Sequence, residues 1–268
     1  MPLKPRIVLV LVLGASLAGT WTVGTRSGNG PAIVLLEWTA LLGLGAAIGG
    51  IGWRLALYSR GVLDENCVAF VDRRYALIEL CAVGGALAGI GAIAAGRSVE
   101  LGPRVGVATG VLVVAYCAIS VALALARIDS PLRERSWRAV ALALGCLAVA
   151  LVGTVNVLSL GGGALEVAVR IVHLSAFSVW FGGALWHNLI VVGAVRRYPG
   201  SKSEITAQTR AFRRTVPALV VALVLTGVAQ SITAFGTSSS VYVGTVPGLL
   251  ICLKVGIALV VTFFLVNG

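Results

Sequence analysis

Runs of about twenty apolar residues, separated by short charged or glycine-rich connections, repeat along the whole chain. A bilayer core takes roughly 20 residues of α-helix to cross. The pattern therefore predicts eight spans, near 7–25, 32–53, 75–96, 104–126, 137–160, 168–195, 214–235 and 247–267. Segments of roughly ten residues with period-two alternation, which would mark a membrane β-barrel, do not occur. The sequence predicts an all-α fold, one polytopic transmembrane bundle over residues 1–268 with no linker or soluble domain.

Composition strengthens this reading. Of 268 residues, 58% are hydrophobic and only 12% charged, and the mean hydropathy is +0.99, far from a soluble domain. The net charge of +11 raises nucleic acid as a partner, so the placement of the basic residues decides. Sixteen Lys and Arg precede the first predicted helix or lie in the second, fourth and sixth loops, whereas Arg26, Arg97, Arg104 and Arg170 lie on the other side. Lys254 falls inside the last helix. Basic loops mark the cytoplasmic face, so both termini are expected inside the cell, and the charge is a topology signal with no nucleic acid implied. Lys4, Arg6 and the following "ASLAGT" also fit a cleaved secretory signal ending at Ala18, which would leave seven spans. An uncleaved first helix is the expectation, because the apolar run continues through Trp21 and Val23.

Five cysteines show no C-x-x-C spacing, so they are expected as apolar filler with no disulfide framework. Within the spans, "GLGAAIGGIG" and "GGALAGIG" carry small-x-x-x-small spacings, Gly45 with Gly49 and Gly85 with Gly89. Such spacings let helix backbones approach closely, and they are expected to pack this bundle internally; a homodimer seam is the alternative. The charged stretches "DRRYALIE" and "RIDSPLRERSWR" read as solvated anchors at lipid headgroups.

The chain has two histidines, His173 and His187, both in the sixth predicted span. Fourteen residues of helix separate them by roughly 21 Å and about 1400°, nearly four full rotations, so they share a face with Trp180 midway between. Ionisable groups inside a span are costly and turn towards protein or a polar cavity. By depth they fall into two layers. Glu37, Asn156, His173 and Lys254 lie in the outer half, and Glu79 and His187 in the inner half with Cys81 close by. Structural readings stand beside functional ones: Glu37 with Lys254 as a plain ion pair, Asn156 as an interhelical hydrogen bonder, each histidine as a satisfied ring. Histidines 21 Å apart on one helix cannot both ligate one haem iron, and no poised nucleophile and base is evident, so catalysis is not expected. A transient transition-metal site of imidazole with carboxylate or thiol remains open.

Three segments in the last hundred residues resemble the copper resistance protein D (CopD) family. "HLSAFSVWFGGALW" (173–186) is similar to that family's His-Leu-x-x-x-x-x-Trp-x-Gly-Gly helix, "FRRTVPALVVALVLTGV" (212–228) to its next helix closing on Thr-Gly, and "GLLICLKVGIALV" (248–260) to its Leu-Lys helix. The similar region is about 168–268. The resemblance implies copper movement across the inner membrane and implicates His173, Trp180, Gly182, Gly183, Thr226, Gly227 and Lys254 as motif residues. It also implies a periplasmic copper carrier or an oxidase assembly factor as partner, and the chain is expected to be the N-terminal part of a longer fusion with a CtaG-type segment. Scarce methionine, Met1 alone, departs from a Met-rich copper relay. The expectation is a copper transport and homeostasis protein, not an enzyme, with His173 and Glu37 as an entry station and His187 and Glu79 as an inner one. The alternatives are a non-transporting membrane scaffold and, disfavoured, a haem b electron carrier.

Overall fold

The computed structural model describes residues 5–26, 28–57, 63–97, 105–127, 134–158 and 161–267. Eight long helices run through them: α1 (Pro5–Arg26), α2 (Pro31–Gly52), α3 (Glu65–Ala92), α4 (Val105–Arg127), α5 (Glu134–Leu158), α6 (Ala164–Trp186), α7 (Lys202–Phe235) and α8 (Val246–Asn267). Among the described residues there is no strand, and six helical stretches are long and apolar enough to cross a membrane. The apolar parts of α1 and α8, Leu9–Gly24 and Val246–Val260, are shorter. This is the architecture of a multi-pass helical membrane protein. Arg60, Arg104 and Arg133, counted above among the loop charges, lie outside the described residues.

The helix starts follow local chemistry. Asp64 accepts from the backbone N–H groups of Asn66 and Cys67 at 2.9 and 3.3 Å, satisfying two of the donors that a helix start leaves unpaired. Glu166 reaches back to accept from Gly163 N–H at 2.6 Å, fixing the start of α6. Pro31 opens α2 at a position where its missing N–H costs nothing. Three helices end in a π-helical turn or pass through one: α2 into Trp53–Leu57, α3 into Ile93–Arg97, and α6 into His187–Val191 before Val192–Arg197 resumes as α-helix. α7 continues through Pro217.

The core is built around α2, which packs chiefly on α3 and α6 and also touches α1, α4 and α5. Glycine sets these contacts. A Cβ on Gly43 would meet the Gly85 Cα at 2.5 Å, and one on Gly49 would collide with the backbone of Gly182. Here backbone meets backbone, a separation only glycine permits. Gly45 receives the Phe181 ring and Gly89 the Tyr116 hydroxyl, so all four glycines of the two spacings serve contacts within the chain. Beyond this core, α7 leans on α6, and α8 rests on α1 and α7.

Candidate functional site

α6 carries the chemistry. It stays α-helical from Ala164 to Trp186, so His173 and His187 hold the separation of roughly 21 Å along one side that the spacing dictates. Their surroundings differ. His173 is buried, at 8% exposure, whereas His187 is half-buried at the start of the π-turn.

Around His173 the polar groups of three helices converge. Its Nδ1 lies 2.9 Å from Thr226 Oγ1 on α7. With the Thr226 hydroxyl donating to the Ala222 carbonyl, its oxygen has a lone pair to accept from an Nδ1–H. The Leu223 carbonyl is a second hydrogen-bond partner of the ring. In the tautomer with the hydrogen on Nδ1, which the Thr226 contact accommodates, Nε2 carries a lone pair, the form in which imidazole ligates a metal or accepts a hydrogen bond. Gly227 lies beside the ring, where a Cβ would make ordinary van der Waals contact with Cε1 at 3.6 Å.

Two cations border the same space. The charges of Lys254 on α8 and Arg170 on α6 both act on the His173 ring. Lys254 reaches Gly19 of α1, where a Cβ would stand 2.9 Å from its Nζ, so glycine at that position makes room for the ammonium. Arg170 donates to Gln230 Oε1 at 3.1 Å, and Gln230 donates back to the Thr226 carbonyl at 3.1 Å. The result is a polar strut of His173, Thr226, Gln230 and Arg170 between α6 and α7, with Lys254 closing one side.

The remaining expected residues take other places. Trp180 is buried with Val12, Phe177, Phe181, Val216 and Val220, a hydrophobic patch just below His173. Gly182 faces α2, while Gly183 faces the Phe212 ring of α7, so the adjacent glycines admit two different neighbours. Asn156 Nδ2 donates to Val152 of its own helix at 2.9 Å. Glu37 on α2 and Glu79 on α3 are partly buried. Among the described residues no group of three or more His, Cys, Asp or Glu is arranged to hold a metal ion, so His173 offers one imidazole and no chelating cage. Cys67 is buried, and Cys81, Cys117, Cys146 and Cys252 are exposed at the bundle surface; all five are free thiols.

Sequence reasoning missed the inner core. Arg54, counted among the basic loop charges, and Asp72, in a stretch expected as a solvated anchor, form an ion pair at 2.6 Å with the Arg54 side chain 3% exposed. Arg54 also donates to the Ala126 carbonyl at 3.3 Å and lies over the Tyr75 ring. Beside it Trp53 stacks on Trp186, with ring centroids 5.6 Å apart. The correction has a physical cause. The π-turn at Trp53–Leu57 changes the helical register of its residues, and α3 begins ten residues ahead of its apolar run, so both charges are carried into protein contact. An arginine directly after a long apolar run, with an aspartate at the edge of the next, was the available signal.

Comparison of the chain with family models, with curated proteins and with solved structures gives no match. The likeness to the copper family therefore rests on the three quoted segments, of whose residues His173 touches Thr226 and lies beside Gly227.

Proposed function

We propose that the protein is a copper-handling membrane bundle of a bacterial inner membrane, with eight spans and both termini in the cytoplasm, that takes copper at its outer face through His173 and passes it inwards or to an oxidase assembly partner. The observation that carries this is the Nδ1 to Thr226 hydrogen bond, which holds the ring and presents Nε2. A single neutral imidazole flanked by Lys254 and Arg170 binds a metal cation weakly, because each positive neighbour repels it. Weak, fast-releasing binding suits a station on a path and not a store. Glu37 stands as the carboxylate to share the outer station, and His187 with Glu79 as the inner pair.

The test is copper accumulation in cells that express the full chain, against His173→Ala expressed to the same level. The reading expects accumulation that depends on His173. A second reading is a non-transporting scaffold, favoured by the fact that His173 already ties α6 to α7. It predicts no change in cellular copper and a membrane partner that co-purifies. A Soret band in the purified protein would instead favour haem.

A further inference from the structure

At the basic end of the bundle, the continuation of α6 through His187–Arg197 and the start of α7 border an open groove of about 320 Å³, lined by His187, Val191, Val192, Val195, Arg196, Thr206 and Thr209. Its floor is three valines and its rim is polar. The π-turn makes this shape: the Val192 N–H bonds the His187 carbonyl five residues back, which adds a residue to the turn and spreads the valines across the groove. Thr209 donates its hydroxyl to the Ile205 carbonyl at 3.0 Å. Arg213 follows Thr206 and Thr209 at helical spacing on the same face of α7, one turn beyond the groove, so a second guanidinium stands next to Arg196 and His187. The surrounding segment 196–214 holds six basic residues against one acid, Glu204. Glu79, proposed to share the inner copper station with His187, does not line this groove.

We infer that this groove is a binding site for an anionic phospholipid, with the phosphate held between Arg196 and Arg213 beside His187 and the acyl chain laid along Val191, Val192 and Val195. An apolar floor that continues into a cationic rim at the membrane boundary matches a lipid, whose charge and hydrocarbon are joined at that depth; a free anion would leave the valines unused. The site stands apart from His173, about four helical turns away, and does not depend on the copper reading.

The test is native mass spectrometry of the detergent-purified full chain titrated with dioleoyl phosphatidylglycerol, dioleoyl phosphatidylcholine or inorganic phosphate. The expected result is retention of phosphatidylglycerol, weaker by roughly fivefold for each arginine removed in Arg196→Gln and Arg213→Gln, with little phosphatidylcholine and no phosphate retained. Thr206→Trp, which fills the groove from an exposed position and leaves every charge in place, should abolish retention while helical circular dichroism stays unchanged. Arg73→Gln, an exposed charge on α3 away from the groove, should leave it intact. Equal retention of the two lipids, binding of phosphate alone, full retention in Thr206→Trp, or an equal loss in Arg73→Gln would each overturn the assignment.

Discussion

Along α2, glycine backbones lie directly against the backbones of α3 and α6, while α7 meets the bundle through a few side chains, Ile205, Val216 and Val220 being its buried residues. The same contrast holds across the spans: 39% of the α6 span is buried and 6% of the α7 span. The dense half holds the stacked indoles and buried Arg54 with its partner Asp72. The thin side holds the His173 strut, Lys254 and the groove at His187. Framework and chemistry are separated. Moving α7 costs side-chain contacts only, whereas moving α3 or α6 against α2 means parting close-packed backbones, so the low-stability element is the one that borders both polar places.

The largest effect that sharpens this contrast is expected at the backbone seam. Gly49→Leu should cost about 3 kcal/mol or more, because the Gly182 backbone cannot yield as a flexible side chain would. Loss of the monodisperse peak in size exclusion and a large drop in Tm would register it. Asp72→Ala should cost about 2 kcal/mol, less than a fully buried pair, since Asp72 is 35% exposed while Arg54 is left buried; thermal denaturation in detergent reads this. Thr226→Val removes the acceptor for Nδ1 and should lower Tm by the equivalent of about 1 kcal/mol while weakening copper binding by roughly tenfold or more. Thr226→Ser should restore both. Smallest is Leu225→Ala on the thin side: at 65% exposure it should change stability by less than about 0.5 kcal/mol. A loss as large as that of Gly49→Leu would break the contrast.

Much of the fold was legible because bilayer length and apolar composition constrain a helix more strongly than any partner does. Each of the eight expected segments coincides with a long helix. The boundaries missed were charged ones. α3 begins at Glu65 and α7 at Lys202, about ten residues before their apolar runs, because charge ends a span in hydropathy without ending hydrogen-bonded helix. In the site, the common face of the two histidines followed from period alone, and the resemblance pointed to Thr226 and Lys254. The hydrogen bond from His173 to a hydroxyl 53 residues away, the pairing of Arg54 with Asp72 and the π-turn at His187 depend on how helices meet, which periodicity does not encode. The glycine spacings were read as close approach, but that Gly49 meets Gly182 and not a second chain follows only from the packed bundle.

The central claim is that the Nε2 lone pair of His173 ligates copper. Equilibrium dialysis of the detergent-purified protein against saturating copper, beside His173→Ala, tests it most directly. The account predicts about one copper per chain in the first and none in the second. Undiminished copper in His173→Ala would contradict it.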